Sequence, residues 1–181
     1  MSYSQPEPLR GKHSTGEFDS GEESLDIWLD RYARHAEGAG SARTFVTTED
    51  GARIVGYYAL TVGQVEPGNA TERLLKGQPE GRPVPVVILA RLAVDIHHQS
   101  AGLGRSLLQD ALLRTVRLGE EAGVRALVAN ALTQQAADFY VRFGFEASPT
   151  DPLQVILLMK DLRKLLKAAE GDQGTARSPG E

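Results

Sequence analysis

The chain has 181 residues, 41% hydrophobic and 24% charged, with a net charge of −4. That is the size of one ordinary domain, long enough to bury a core without covalent staples. It contains no cysteine, which excludes disulfides, thiolate metal sites and cysteine nucleophiles. No apolar run reaches the roughly 20 residues of a membrane helix, and the acidic balance does not advertise nucleic-acid binding, although a local basic patch can bind phosphate on an acidic protein.

Residues 1–16 are polar and carry Pro6, Pro8, Gly11 and Gly16; they read as a loose arm or a first edge strand. They hold no apolar core of a secretion signal, so the expected location is cytoplasmic. Ser20 and Glu23 match a capping box. Leu25, Trp28, Leu29, Tyr32, Ala33 and Ala36 then recur at helical spacing and predict an amphipathic helix, with Trp28 and Tyr32 in the core, ended by Gly38 and Gly40. Two strands follow, 43–48 and 53–62, joined by an Asp50-Gly51 hairpin turn. Residues 63–84 form a long polar loop with a short helix around 72–76. The nearly continuous apolar run 84–95 suits a central strand covered on both faces.

A helix is predicted over 102–122, with Leu103, Leu107, Ala111, Val116 and Leu118 inward. A strand (125–130), a helix (133–143), a late strand (154–159) and a short basic helix (161–167) complete the pattern. The expected domain is 1–167. Residues 168–181, ending GDQGTARSPGE, lack the apolar residues to bury a core and are expected to be disordered. The element order predicts an α/β (mixed α+β) fold.

The segment LARLAVDIHHQSAGLGRSLLQDALLRT, residues 89–115, carries the chemistry. A buried strand runs into a glycine-bearing loop that opens a long helix. Gly102 and Gly104 let backbone approach a ligand closely. The first helical turn leaves amides without intrahelical acceptors, and its dipole favours an anion. Arg105 and Ser106 can add phosphate contacts. A G-x-G at a helix start is by itself a weak signal, equally well read as a turn closing a helix. It is neither the dinucleotide fingerprint nor a P-loop.

The larger pattern is more specific. Gln99-Ser100-Ala101-Gly102-Leu103-Gly104 matches Q/R-x-x-G-x-G/A after the strand LARLAVD. A strand ending in Ala129-Asn130 then leads into a helix reading A-x-x-F-Y-x-x-F-G-F from Ala136 to Phe145. These features resemble the GNAT superfamily of N-acetyltransferases. The resemblance implies a GNAT fold, with a central, mostly antiparallel sheet of about six to seven strands and helices on both faces. It implies acetyl-CoA as co-substrate and no metal. Gln99, Ser100, Ala101, Gly102, Leu103, Gly104, Arg105 and Ser106 would lie at the diphosphate, and Leu92, Ala93 and Val94 would pair with the pantetheine arm.

The N-terminal half, FDSGEESLDIWLDRYARHAEGAGSARTFV followed by RIVGYYAL, extends the likeness. It resembles the TacT/AtaT-like GNAT toxins of bacterial toxin–antitoxin pairs over about residues 9–166. That resemblance implies an α-amino acceptor on aminoacyl-tRNA, a small ribbon-helix-helix antitoxin, a homodimer, and Tyr140 as the catalytic residue.

The residues allow that chemistry. A phenol with a pKa near 10 can protonate a departing thiolate of pKa roughly 8.5, and the amide near Val94 can polarise a carbonyl. Phe139, Phe143 and Phe145 read as core aromatics around Tyr140, and Phe139 is also a candidate for cofactor contact. Asn130 either hydrogen-bonds the pantetheine or caps the next helix with Thr133. Asp95, Glu120, Glu121 and Asp138 read as solvated or capping, so no general base stands out. An α-amino group, pKa about 7.7–8.0, needs one less than a lysine does.

Arg73, Lys76, Arg82, Arg91, Arg142, Arg163, Lys164 and Lys167 are candidate RNA contacts; scattered surface charge is the bland reading, and Arg91 can instead turn inward. His97-His98 lacks a third ligand and does not read as a metal site. Two other functions fit the motifs: a GNAT enzyme acting on a small-molecule or protein amine, and a catalytically silent module that binds acetyl-CoA or a protein.

Overall fold

The β-branched and apolar runs become strands in a computed structural model that describes residues 2–174. They are β1 (Glu7–Pro8), β2 (Arg43–Thr48), β3 (Ile54–Val65), β4 (Val84–Val94), β5 (Ala126–Asn130), β6 (Glu146–Ala147) and β7 (Gln154–Leu158). They form one sheet in the order β1-β2-β3-β4-β5-β7-β6. The pairs β1/β2, β2/β3, β5/β7 and β6/β7 are antiparallel. The α/β class expected from the sequence is therefore present. β6 was not anticipated, because two residues are too short to show a period of two. The helices are α1 (Glu23–Ile27), α2 (Ala33–Ala39), α3 (Glu72–Leu75), α4 (Leu103–Glu121), α5 (Gln134–Arg142) and α6 (Met159–Gly174). Contacts divide the chain into two compact units: Met1–Gly63 with Val87–Ala111, and Gln64–Val86 with Leu112–Glu181.

In the first unit the N-terminal segment is an edge strand, with Glu7 opposite Val46. The Asp50-Gly51 turn forms as expected. Gly51 takes φ 87°, and Asp50 Oδ1 accepts the amides of Ala52 and Arg53. Leu9, Phe18, Leu29, Ala33, Val46, Ile54, Tyr57 and Ala93 make the core.

The first helix departs from the sequence pattern in two ways. Ser20 does not pair with Glu23: its hydroxyl and amide both bond Asp26 Oδ1, at 2.6 and 2.9 Å, and Glu22 holds the cap position. The helix starts too late for Ser20 to reach the amide a capping box requires. In addition, α1 and α2 are joined by a π-helical turn, Trp28–Tyr32. The wider turn rotates the apolar stripe, so Leu29 and Ala33 are fully buried while Tyr32, expected in the core, is 55% exposed.

In the second unit, Ala126–Asn130 of β5 lie opposite Leu158–Gln154 of β7. Thr71 caps α3 and Thr133 caps α5, each accepting an amide three residues on. Helix α4 begins in the first unit, where Leu103, Leu107, Leu108 and Ala111 are buried, and continues in the second, where Leu112 and Thr115 are buried. Its last turns present Gly119 to Met159, leaving Leu118, expected inward, exposed. Helix α6 runs to Gly174 instead of ending at 167, anchored by the fully buried Leu162. The remainder of the expected disordered tail, 175–181, lies outside the described residues.

Candidate active site

The glycine-bearing loop belongs to the first unit. Strand β4 alternates, placing Ala93 in the core and leaving Leu92 and Val94 half-buried. Asp95, Ile96, His97 and His98 lead into a 3₁₀ turn over Gln99–Ala101. Gly102 then reverses the chain at φ 77°, a left-handed conformation that a side chain disfavours. Leu103, 5% exposed, anchors the start of α4 in the core, while Ser100, Ala101, Gly102, Arg105 and Ser106 are exposed and Gly104 is half-buried.

A Cβ built on Gly102 would meet nothing within 4 Å. Glycine is therefore required there by the backbone, and the space over the loop is open. Amides at a helix start beneath open space, with Arg105 and Ser106 beside them, fit a diphosphate. One residue is used differently from the motif expectation: the Gln99 side chain is turned away, its Nε2 donating to the carbonyls of Ser20 and Val94, both at 3.1 Å.

Asn130, Phe139 and Tyr140 belong to the second unit. Tyr140 is 7% exposed. Its ring lies 5.3 Å edge-on from Phe139 and 5.3 Å from Phe145; Phe139 is half-buried and also meets Phe143 at 5.1 Å. Burial pushes the Tyr140 phenol above its ordinary range. No described residue hydrogen-bonds its hydroxyl, which is unusual for a buried tyrosine. Asn130 is exposed at the end of β5, where Gln154 Nε2 donates to its Oδ1 at 3.4 Å. It does not cap α5; Thr133 does.

Several other candidates resolve. Asp95 is not solvated: it is 2% exposed, and its carboxylate accepts the amides of Asp19 and His97. Arg91 turns inward, as the alternative reading allowed, but onto an aromatic ring and not a carboxylate. Its guanidinium sits 4.4 Å over Trp28, which stacks on Tyr57 at 6.0 Å. His98 is buried and bonds Tyr3 through Nδ1 at 2.9 Å. No cluster of His, Asp or Glu among the described residues could hold a metal.

The second unit has a basic hollow of about 460 Å³, with Val124, Leu158 and Met159 in its lining and Arg73, Lys76, Arg125, Lys160 and Arg163 around them; Arg73, Lys76 and Arg163 are among the candidate RNA contacts, whereas Arg125 and Lys160 were not anticipated. Arg73 is held by Asp161, at 2.7 Å, and by Glu146. Arg125 is fixed by the Leu74 and Lys76 carbonyls. These cations lie far apart in sequence, so their gathering around one hollow is not legible there.

The glycine-bearing strand–helix junction of the first unit and the buried phenol on α5 of the second are the two features that the sequence pattern singled out. Residues 40–147 match the acetyltransferase (GNAT) domain, and the chain belongs to the GNAT acetyltransferases. Its relatives narrow the comparison. The chain is 46% identical, over 91% of its length and 97% of the relative's, to the tRNA-acetylating toxin of Mycobacterium tuberculosis. Its fold matches a tyrosine-to-phenylalanine mutant of KacT with a TM-score of 0.83, at 23% identity, covering 91% of this chain and 99% of that one. It matches AtaT complexed with acetyl-methionyl-tRNAfMet with a TM-score of 0.82, at 22% identity and with the same coverage of both chains. Among the described residues, no helix is long and apolar enough to cross a membrane.

Proposed function

We propose that this protein transfers acetyl from acetyl-CoA to the α-amino group of aminoacyl-tRNA and thereby blocks translation. The observation that carries the chemistry is Tyr140: a phenol in a mostly buried ring with no described partner at its hydroxyl. Such a group is an acid held for a reacting atom. In this reading the amine attacks the thioester carbonyl and the carbon–sulfur bond breaks. Tyr140 donates the proton that the departing sulfur needs and regains one released by the amine. Amides from Gln99 to Ser106, with Arg105 and Ser106, hold the diphosphate. Backbone at Leu92, Ala93 and Val94 pairs with the pantetheine arm, and Phe139 and Asn130 are the second unit's candidates for contact with the cofactor.

The acceptor reading is supported by the relative named as a tRNA-acetylating toxin, and an α-amino group depends less on a general base than a lysine does. The basic hollow supports the same acceptor. Lys76, Lys160 and Arg163 have no acidic partner among the described residues, and such cations suit an RNA backbone. AtaT has been solved with the C-terminus of its antitoxin AtaR. We extend the reading to a small ribbon-helix-helix antitoxin, a homodimeric enzyme and a cytoplasmic location, where aminoacyl-tRNA is found. Purified protein, acetyl-CoA and charged tRNA should yield acetyl on the α-amino group. Transfer only to small amines or lysine peptides would refute the assigned acceptor.

A further inference from the structure

We infer that the side chains of Asp95 and Gln99 position the acetyl-CoA site, acting through the Asp19–Ser20 segment and not by touching the cofactor themselves. The inference rests on reading the 99–106 loop as the diphosphate site. Asp95 is a nearly fully buried carboxylate to which no described lysine or arginine is paired. Burial of a charge is tolerated only when hydrogen bonds replace water. Here they come from the backbone at both ends of a clamp: Oδ2 accepts the Asp19 amide at 3.2 Å and Oδ1 the His97 amide at 3.0 Å. The Ile96 amide returns a bond to the Asp19 carbonyl at 2.8 Å, and the Asp95 amide holds Val55 at 2.9 Å.

Gln99 closes the other side. One amide nitrogen bridges Ser20 and Val94, joining the start of the diphosphate loop to the end of the strand that precedes it. The backbone within the turn is pinned as well, with the His98 amide on Asp95 and the Ala101 amide on His98. The segment 19–21 is itself fixed to α1 by the two Ser20 bonds to Asp26. Gly21, at φ 86°, brings that segment against Ile96, whose Cγ2 would lie 3.3 Å from an added Cβ. A loop that binds anions through amides works only while those amides point at one place. This clamp fixes their direction from a segment about 76 residues away in sequence.

The chemistry of Gln99 makes the inference testable. Both of its bonds are donated to carbonyls, so what matters is two donors at one point, not a polar group near phosphate. Gln99→Met keeps the approximate volume and removes the donors, Gln99→Glu keeps the shape and turns acceptors toward both carbonyls, and Asp95→Asn turns an NH2 donor toward one of the two amides.

Acetyl-CoA binding should be measured by calorimetry, with kcat and KM alongside. We expect Gln99→Met, Gln99→Glu and Asp95→Asn to weaken the acetyl-CoA Kd and raise its KM by about tenfold or more. In these variants kcat should stay within about threefold. Slowed hydrogen exchange at the Asp19 and Ile96 amides on adding acetyl-CoA should be lost in Gln99→Met.

Kd values for all three variants equal to that of the parent protein would overturn the inference. A parent protein that ignores acetyl-CoA would instead overturn the reading of the loop. Because binding is read without an acceptor, the result is independent of whether tRNA is the substrate.

Discussion

Replacing Tyr140 by phenylalanine separates catalysis from folding more cleanly than any other change in this molecule. The ring is held by Phe139 and Phe145, each at 5.3 Å, and phenylalanine keeps both contacts. The hydroxyl has no described hydrogen-bond partner, so no internal bond is lost. A buried polar group without a partner carries a desolvation penalty of about 1–3 kcal/mol. Because this hydroxyl is not completely sealed, relief of about 1 kcal/mol or less is expected. At about 2–4 °C per kcal/mol for a chain of this size, Tm should stay level or rise by a few degrees. Loss of a general acid removes about 10²–10⁴-fold of rate, or about 3–5 kcal/mol of transition-state stabilisation. Turnover should therefore fall by about a hundredfold or more while acetyl-CoA affinity is retained. Single-turnover acetylation, calorimetry and a thermal melt on the same preparation test all three. Unchanged turnover would remove Tyr140 from the mechanism; a Tm lowered by several degrees would mean that the hydroxyl has a structural partner.

Gly102→Ala puts a Cβ on a residue at φ 77° but into open space. The cost is conformational, about 1–2 kcal/mol, and calorimetry should show acetyl-CoA affinity lowered by about tenfold with little change in fold. Leu162→Ala empties a fully buried position on α6 and should destabilise the protein by about 2–5 kcal/mol in a denaturant melt; a change under 0.5 kcal/mol would show that α6 is not part of the folded core.

Burial raises the phenols of Tyr57 and Tyr140 above their ordinary value of 10.0. The unfolded chain ionises them first as pH rises, so this contribution to stability is intact below about pH 10 and is lost above it. Tm measured from pH 7 to 11 should bend downward only near the top of that range, less steeply in Tyr140→Phe. An identical curve for that variant would contradict the raised value.

The parts of the site legible in the sequence are those set by local geometry. A strand running into Gln99–Gly104 and a helix is written in neighbouring residues, since a left-handed glycine and the amides of a first turn need no distant partner. The Asp50-Gly51 hairpin, the Thr133 cap and the FY pair on α5 are local for the same reason. What the tertiary structure alone decided depends on residues far apart in the chain. Tyr32 is exposed because a π-helical turn shifts the stripe that a regular 3.6 period would bury. Ser20 bonds Asp26 instead of Glu23 because the helix begins later than the capping box allows. Asp95 is buried because backbone amides, including one from Asp19, replace its water, and composition cannot announce such donors. Arg91 has a ring beneath it, and Gln99 faces two carbonyls instead of a phosphate. Hydrophobic period and turn chemistry act over a few residues, whereas the partner of a buried polar group is chosen by packing, and packing brings together what the sequence keeps apart.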